Sequence, residues 1–143
     1  MWLIYALMAA VTWGLNYVLD ERVFKSQISP FTLLAAQSWA AAIIFTLLTL
    51  MYRVKQDVAV LTTNRNVLYI GIAALLSATA GNLFIALSIQ AKNATFAALI
   101  EESYPLFTIL FGYLLFKENY LTPGVAIGAL MIIIGVGVIT SVK

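Results

Sequence analysis

No cysteine and no histidine occur in this chain. The first absence excludes disulfides and thiolate chemistry. The second excludes an imidazole proton relay and His-based metal sites. Charge is scarce as well: Lys and Arg number 8 and Asp and Glu 6 in 143 residues, a net charge of +2. The positive residues are scattered without a basic run, which argues against nucleic acid as a partner. No nucleophile–base pair, metal cluster or phosphate-binding loop stands out, so neither an enzyme nor a cofactor or metal is expected.

What remains is apolar. Hydrophobic residues make up 63% of the chain, and the mean hydropathy is +0.99. The apolar segments are apolar all round, unlike the one-sided helices of a soluble core. We read five membrane spans, at about Trp2–Leu19 (with a soft end reaching toward Phe24), Pro30–Tyr52, Asn66–Ile89, Ala94–Phe116 and Pro123–Thr140. At about 20 residues each they use roughly 100 residues. The fold class expected is therefore an all-α membrane protein forming a single domain over residues 1–143. It would be multi-pass, in the cell (inner) membrane. The first run has no charged segment before it and no small-residue cleavage site, and reads as a retained span.

The few prolines mark boundaries. Ser29-Pro30 and Thr122-Pro123 are each an N-cap followed by a first-turn proline. Asn93 is a cap for the fourth span. Between Arg53 and Arg65, Val54, Val58 and Leu61 recur at helical spacing and suit a short surface helix. Small residues form stripes: Gly71, Ala74, Ala78, Gly81 and Asn82 on the third span, and Gly124, Gly128 and Gly135 on the fifth. Such stripes serve close helix packing in lipid, with a substrate-facing role as the alternative.

All the charges fall between or outside the spans except Glu101 and Glu102. An ionisable group inside a bilayer is a functional-site hypothesis by default. Charging a glutamate at a helix centre costs about 3 kcal/mol, and holding one protonated at pH 7 costs about 3.7 kcal/mol. The two costs are comparable, so a glutamate at such a depth can exchange a proton. The alternative is a permanently protonated acid hydrogen-bonded to a neighbouring helix. Glu101 shares a small, polar stripe with Ala94, Ala97, Pro105, Thr108 and Gly112; Glu102 shares its face with Ala98, Ile109 and Tyr113. Pro105 removes the hydrogen bond to the Glu101 carbonyl and kinks the helix there. Glu101 is thus the first candidate for proton or cation binding and Glu102 the second.

Other polar groups can complete a site. Trp2, Tyr5, Trp13, Asn16 and Tyr17 lie on one face of the first span. Trp2 and Tyr5 suit interface anchors, whereas Trp13 and Tyr17 lie deeper and either contact a cation through their rings or simply pack. Gln37 and Asn82, inside the second and third spans, either bind substrate or hydrogen-bond between helices.

Loop charge gives no orientation. One side carries Arg53, Lys55, Arg65 and Lys117, the other Arg22, Lys25, Lys92 and Lys143, so the positive-inside rule has no bias to read. With an odd number of spans, two copies inserted in opposite senses would form a ten-helix assembly with a two-fold axis in the membrane plane. That is a common plan for secondary transporters. The alternative is one orientation, with Arg22 and Lys25 favouring an outside N-terminus.

Several short stretches resemble one family in order along nearly the whole chain. They are Trp13-Gly14-Leu15-Asn16, Ile28-Ser29-Pro30, Tyr104-Pro105-Leu106-Phe107, Lys117-Glu118-Asn119 and Gly128-Ala129-Leu130-Met131-Ile132-Ile133-Ile134-Gly135. Together they resemble a single EamA-type domain of the drug/metabolite transporter superfamily, of the short five-span bacterial and archaeal type. The resemblance implies transport of small metabolites or drugs, often export, by alternating access. It also implies that this chain is one half of a ten-span inverted-repeat assembly. It places Tyr104 and Pro105 in the family's fourth-span motif and makes Glu118 a cap or interface residue. It departs at Gln37, where similar proteins often carry an Arg, so an analogy with anionic substrates does not carry over.

The resulting expectation is a secondary transporter acting as an antiparallel homodimer in the lipid bilayer, with a small-molecule substrate. Its site would lie near the midplane, lined by the first, third and fourth spans, and Glu101 would couple protons or bind a cationic group. The alternative is a non-transporting partner subunit that pairs with another half-size membrane protein.

Overall fold

The structure, a computed structural model, describes residues 1–52 and 54–141. Among these the chain is entirely helical, with no strand. Seven helices follow in order: α1 (Trp2–Lys25), α2 (Pro30–Met51), α3 (Val54–Thr63), α4 (Arg65–Ala91), α5 (Ala94–Glu101), α6 (Tyr104–Phe116) and α7 (Pro123–Ser141). Helices α1, α2, α4 and α7, together with α5 and α6 taken as one unit, are long and apolar enough to cross a membrane. Helix α3 is the short connecting helix. It packs on α4 and α2.

Side-chain caps set where most helices begin. Ser29 has extended backbone and accepts from the Phe31 N–H at 3.2 Å, with Pro30 opening α2. Asn64 accepts from the Asn66 and Val67 N–H groups at 3.1 and 3.3 Å. Thr122 accepts from the Val125 N–H at 3.3 Å. Helix α5 is capped twice: Asn93 accepts from the Phe96 N–H at 2.9 Å, and Glu21 of α1 accepts from the Ala94 N–H at 2.8 Å. Each such acceptor satisfies a donor the helix cannot use internally. We expect Asn93→Ala to destabilise the fold by about 1 kcal/mol, the usual worth of such a cap, read as a lower midpoint in a denaturing-detergent titration.

The fourth membrane crossing is two helices rather than one kinked helix. Helix α5 ends at Glu101 and α6 begins at Tyr104. Pro105 has no N–H to offer the Glu101 carbonyl, and its ring crowds that carbonyl. The chain tightens instead: the Ser103 N–H reaches Ile100 at 3.1 Å and the Leu106 N–H reaches Ser103 at 3.0 Å. Helix α6 stops at Lys117, which takes the left-handed conformation at φ 59°, and the Glu118 N–H folds back to the Gly112 carbonyl at 3.2 Å. A left-handed residue there ends the helix while satisfying its last carbonyls.

The core sits at one end of the bundle. Tyr17 and Phe24 of α1, Ala86 and Ile89 of α4, and Ala94 and Ala97 of α5 are buried there, with Leu33 and Leu34 of α2 packed against them. The three alanines let α4 and α5 approach closely, as small residues do between helices in lipid. Helix α7 packs on α5, while α6 has scarcely any helix beside it. Large apolar side chains along α6 and α7, such as Phe111, Leu115, Ile127 and Met131, are left uncovered.

Candidate functional site

Four helix segments converge at the buried end: the C-terminal part of α1, the start of α2, the end of α4 and α5. At about 1.5 Å per residue, Glu101 lies about 10 Å beyond the start of α5 and Gln37 about 10 Å beyond the start of α2. The polar groups therefore meet about 10 Å from the helix ends that carry Lys25 and Lys92.

Between α1, α2 and α4 lies a cleft of about 270 Å³. Helix α1 contributes Trp13, Asn16, Tyr17 and Asp20; α2 contributes Leu34, Gln37, Ser38 and Ala41; α4 contributes Asn82, Ile85 and Ala86. Five residues singled out by sequence, Trp13, Asn16, Tyr17, Gln37 and Asn82, thus line one space. The Trp13 and Tyr17 rings stand 5.7 Å apart at 49°, a tilted pairing of the kind aromatic rings prefer.

Glu101 joins this cleft through Tyr17. The Tyr17 hydroxyl donates to Glu101 Oε2 at 2.5 Å, linking α1 to the end of α5 at the helix break. The interhelical hydrogen bond raised as an alternative for a buried acid is thus present at Glu101, and a proton at this carboxyl changes what the hydroxyl can donate to. Ala94 and Ala97, on the same face, are buried, whereas Glu102 is exposed. Tyr104 is exposed and Pro105 half-buried at the start of α6, away from the cleft lining.

The second acid at the site is Asp20, which falls at the soft end of the first span, just past Leu19. Asp20 is 6% exposed. Its Oδ2 accepts from Asn16 Nδ2 at 3.0 Å and its Oδ1 from Gln37 Nε2 at 2.9 Å. Gln37 Nε2 also lies 3.4 Å from Asn16 Oδ1. Asp20 was legible: Trp13, Asn16, Tyr17 and Asp20 keep the spacing of one helix face. The cluster Asp20-Glu21-Arg22 masked it by resembling the end of a span. Its neighbour Glu21 points the other way, to Lys25 and the α5 start.

Among the described residues the glycines of the two stripes find no close neighbour. A Cβ added at Gly71, Gly81, Gly124, Gly128 or Gly135 would meet nothing within 4 Å. Among the described residues no group of His, Asp or Glu could hold a metal ion.

The model of the EamA-like transporter family matches residues 1–141. The chain belongs to that family. Neither the curated proteins nor the solved structures compared with it gave a significant match. With five helices able to cross a bilayer, this EamA-type chain is an integral, multi-pass membrane protein of a transporter class within the drug/metabolite transporter superfamily.

Proposed function

We propose that the chain is a half-size secondary transporter of a small metabolite or drug, exporting it across the cell (inner) membrane as an antiparallel homodimer, with proton exchange at Glu101. The observation that carries this reading is the Tyr17–Glu101 hydrogen bond. It connects a carboxyl at a helix break to the wall of the cleft, so protonation of one is felt by the other. Broken helices near the binding position are a recurrent device of secondary transporters, because the freed backbone groups and the interruption let one part move against another.

Pairing is supported by what this copy leaves uncovered. Among the described residues α6 has scarcely any helix beside it and nothing lies within 4 Å of a Cβ added at the α7 glycines, and the loop charges are balanced. In an inverted pair, two sites each about 10 Å from opposite ends of helices about 36 Å long would be offset by roughly 15 Å along the membrane normal. One cleft would then open nearer each side, which suits alternating access.

The pairing test is direct, because the chain has no cysteine of its own. Val125 and Ile139 lie near opposite ends of α7. Copies carrying Val125→Cys are expected to crosslink with copies carrying Ile139→Cys, and not with one another. A C-terminal tag is expected to be reached from both sides of the membrane. A tag reached from one side only overturns the inverted homodimer. Absence of any self-crosslink, together with co-purification of another half-size membrane protein, supports the partner-subunit reading instead.

A further inference from the structure

We infer that the cleft between α1, α2 and α4 is a binding site for a small organic ammonium group, with Asp20 as its anionic anchor. The inference rests on the transporter reading and names its substrate class.

Asp20 is buried, and it lines the cleft. Each of its oxygens accepts one amide N–H, from Asn16 and from Gln37. A carboxylate is an acceptor on both oxygens, whereas a protonated acid must donate from one of them. Two amide donors on two different oxygens therefore suit the anion. A buried anion is costly unless a cation accompanies it, yet among the described residues the one ion pair is Lys25 with Glu21. Gln37 supplies a hydrogen bond to Asp20 but no charge. The missing positive charge is left for a ligand.

The rest of the cleft fits such a ligand. Each carboxylate oxygen can accept more than one hydrogen bond, so an ammonium can be added without displacing the amides. Trp13 and Tyr17 form the wall beside Asp20, and aromatic faces attract desolvated cations. Leu34, Ile85 and Ala86 make the remainder apolar, which suits an alkyl or aryl body. The volume of about 270 Å³ is enough for a small arylalkylamine. Tyr17 belongs both to this wall and to the Glu101 hydrogen bond, so ligand and proton meet at one hydroxyl.

The test measures binding, not transport. Purified protein in lipid nanodiscs is titrated calorimetrically with phenethylammonium, with 2-phenylethanol as its neutral counterpart and with phenylacetate as an anion of similar shape. The expected result is binding of the amine, at least tenfold weaker binding of the alcohol, and none of phenylacetate. Asp20→Asn keeps the shape and is expected to weaken the amine at least tenfold while leaving the alcohol unchanged. Should that variant fold poorly, Gln37→Lys supplies an internal cation. It is expected to abolish amine binding while the thermal unfolding transition is kept or raised. Equal affinity for amine and alcohol, no amine binding, or undiminished amine binding in either variant overturns the inference. These outcomes stand apart from the crosslinking and tag results, which decide the pairing and not the ligand.

Discussion

Glu101→Gln is expected to reduce proton-driven substrate movement in proteoliposomes to the level of empty liposomes, while leaving the protein folded. The two halves of that expectation have separate physical grounds. The amide has the size and planarity of the acid, and its carbonyl oxygen can still accept from the Tyr17 hydroxyl, so the α1–α5 link that the structure shows at 2.5 Å survives. The amide cannot take up or release a proton, so the step that couples a proton gradient to movement is removed. A variant that retained gradient-driven transport would show that Glu101 is a packing acid. Tyr17→Phe is the complement: it keeps the carboxyl but deletes its partner. Loss of a hydrogen bond to a charged group costs about 1.5–3 kcal/mol. Transport is expected to weaken without being abolished, because the link between α1 and the helix break is lost while the carboxyl itself stays.

The largest loss of stability is expected from Ile89→Ala, at about 2–3 kcal/mol. Ile89 is 2% exposed, among the most buried side chains of the chain, and sits where α1, α4 and α5 meet. Between helices in a bilayer the apolar transfer term is weak, since lipid is as apolar as the core. What the truncation removes is close packing, and a rigid cluster built on Ala86, Ala94 and Ala97 has little side chain with which to fill the gap. The expected value is accordingly in the lower part of the range seen for such truncations. A detergent-unfolding titration checks it. The same truncation at Ile133, which is 55% exposed on α7, is expected to change little in the single copy. Equal costs at both positions would show that the cluster is not the stabilising centre.

These two experiments address different parts of the same end of the bundle. Glu21 ties α1 to the first turn of α5, and Asn93 caps that same turn. Ile89 and the alanines pack beneath it. The hydrogen bonds of Glu101 and Asp20 thus rest on the best-packed region. The exposed apolar side chains of α6 and α7, such as Phe111 and Ile127, lie outside that region.

The sequence alone determined the helices. Its apolar runs are long enough to span a bilayer, Ser29-Pro30, Asn93 and Thr122-Pro123 mark their starts, and Pro105 interrupts the fourth, all through local chemistry along the chain. It also set the direction of Glu101 against that of Glu102, since adjacent helical residues point about 100° apart. It did not reveal that Pro105 separates two helices, nor that Asp20 is buried rather than at a solvated end. Only the tertiary structure decided which helix stands opposite each face. The Tyr17–Glu101 bond joins residues 84 apart and the Gln37–Asp20 bond residues 17 apart. Periodicity fixes a side chain's angle about its own axis, but the partner across the gap depends on how close the helices come. Here the small residues Ala86, Ala94 and Ala97 set that approach, and with it which polar groups share the cleft.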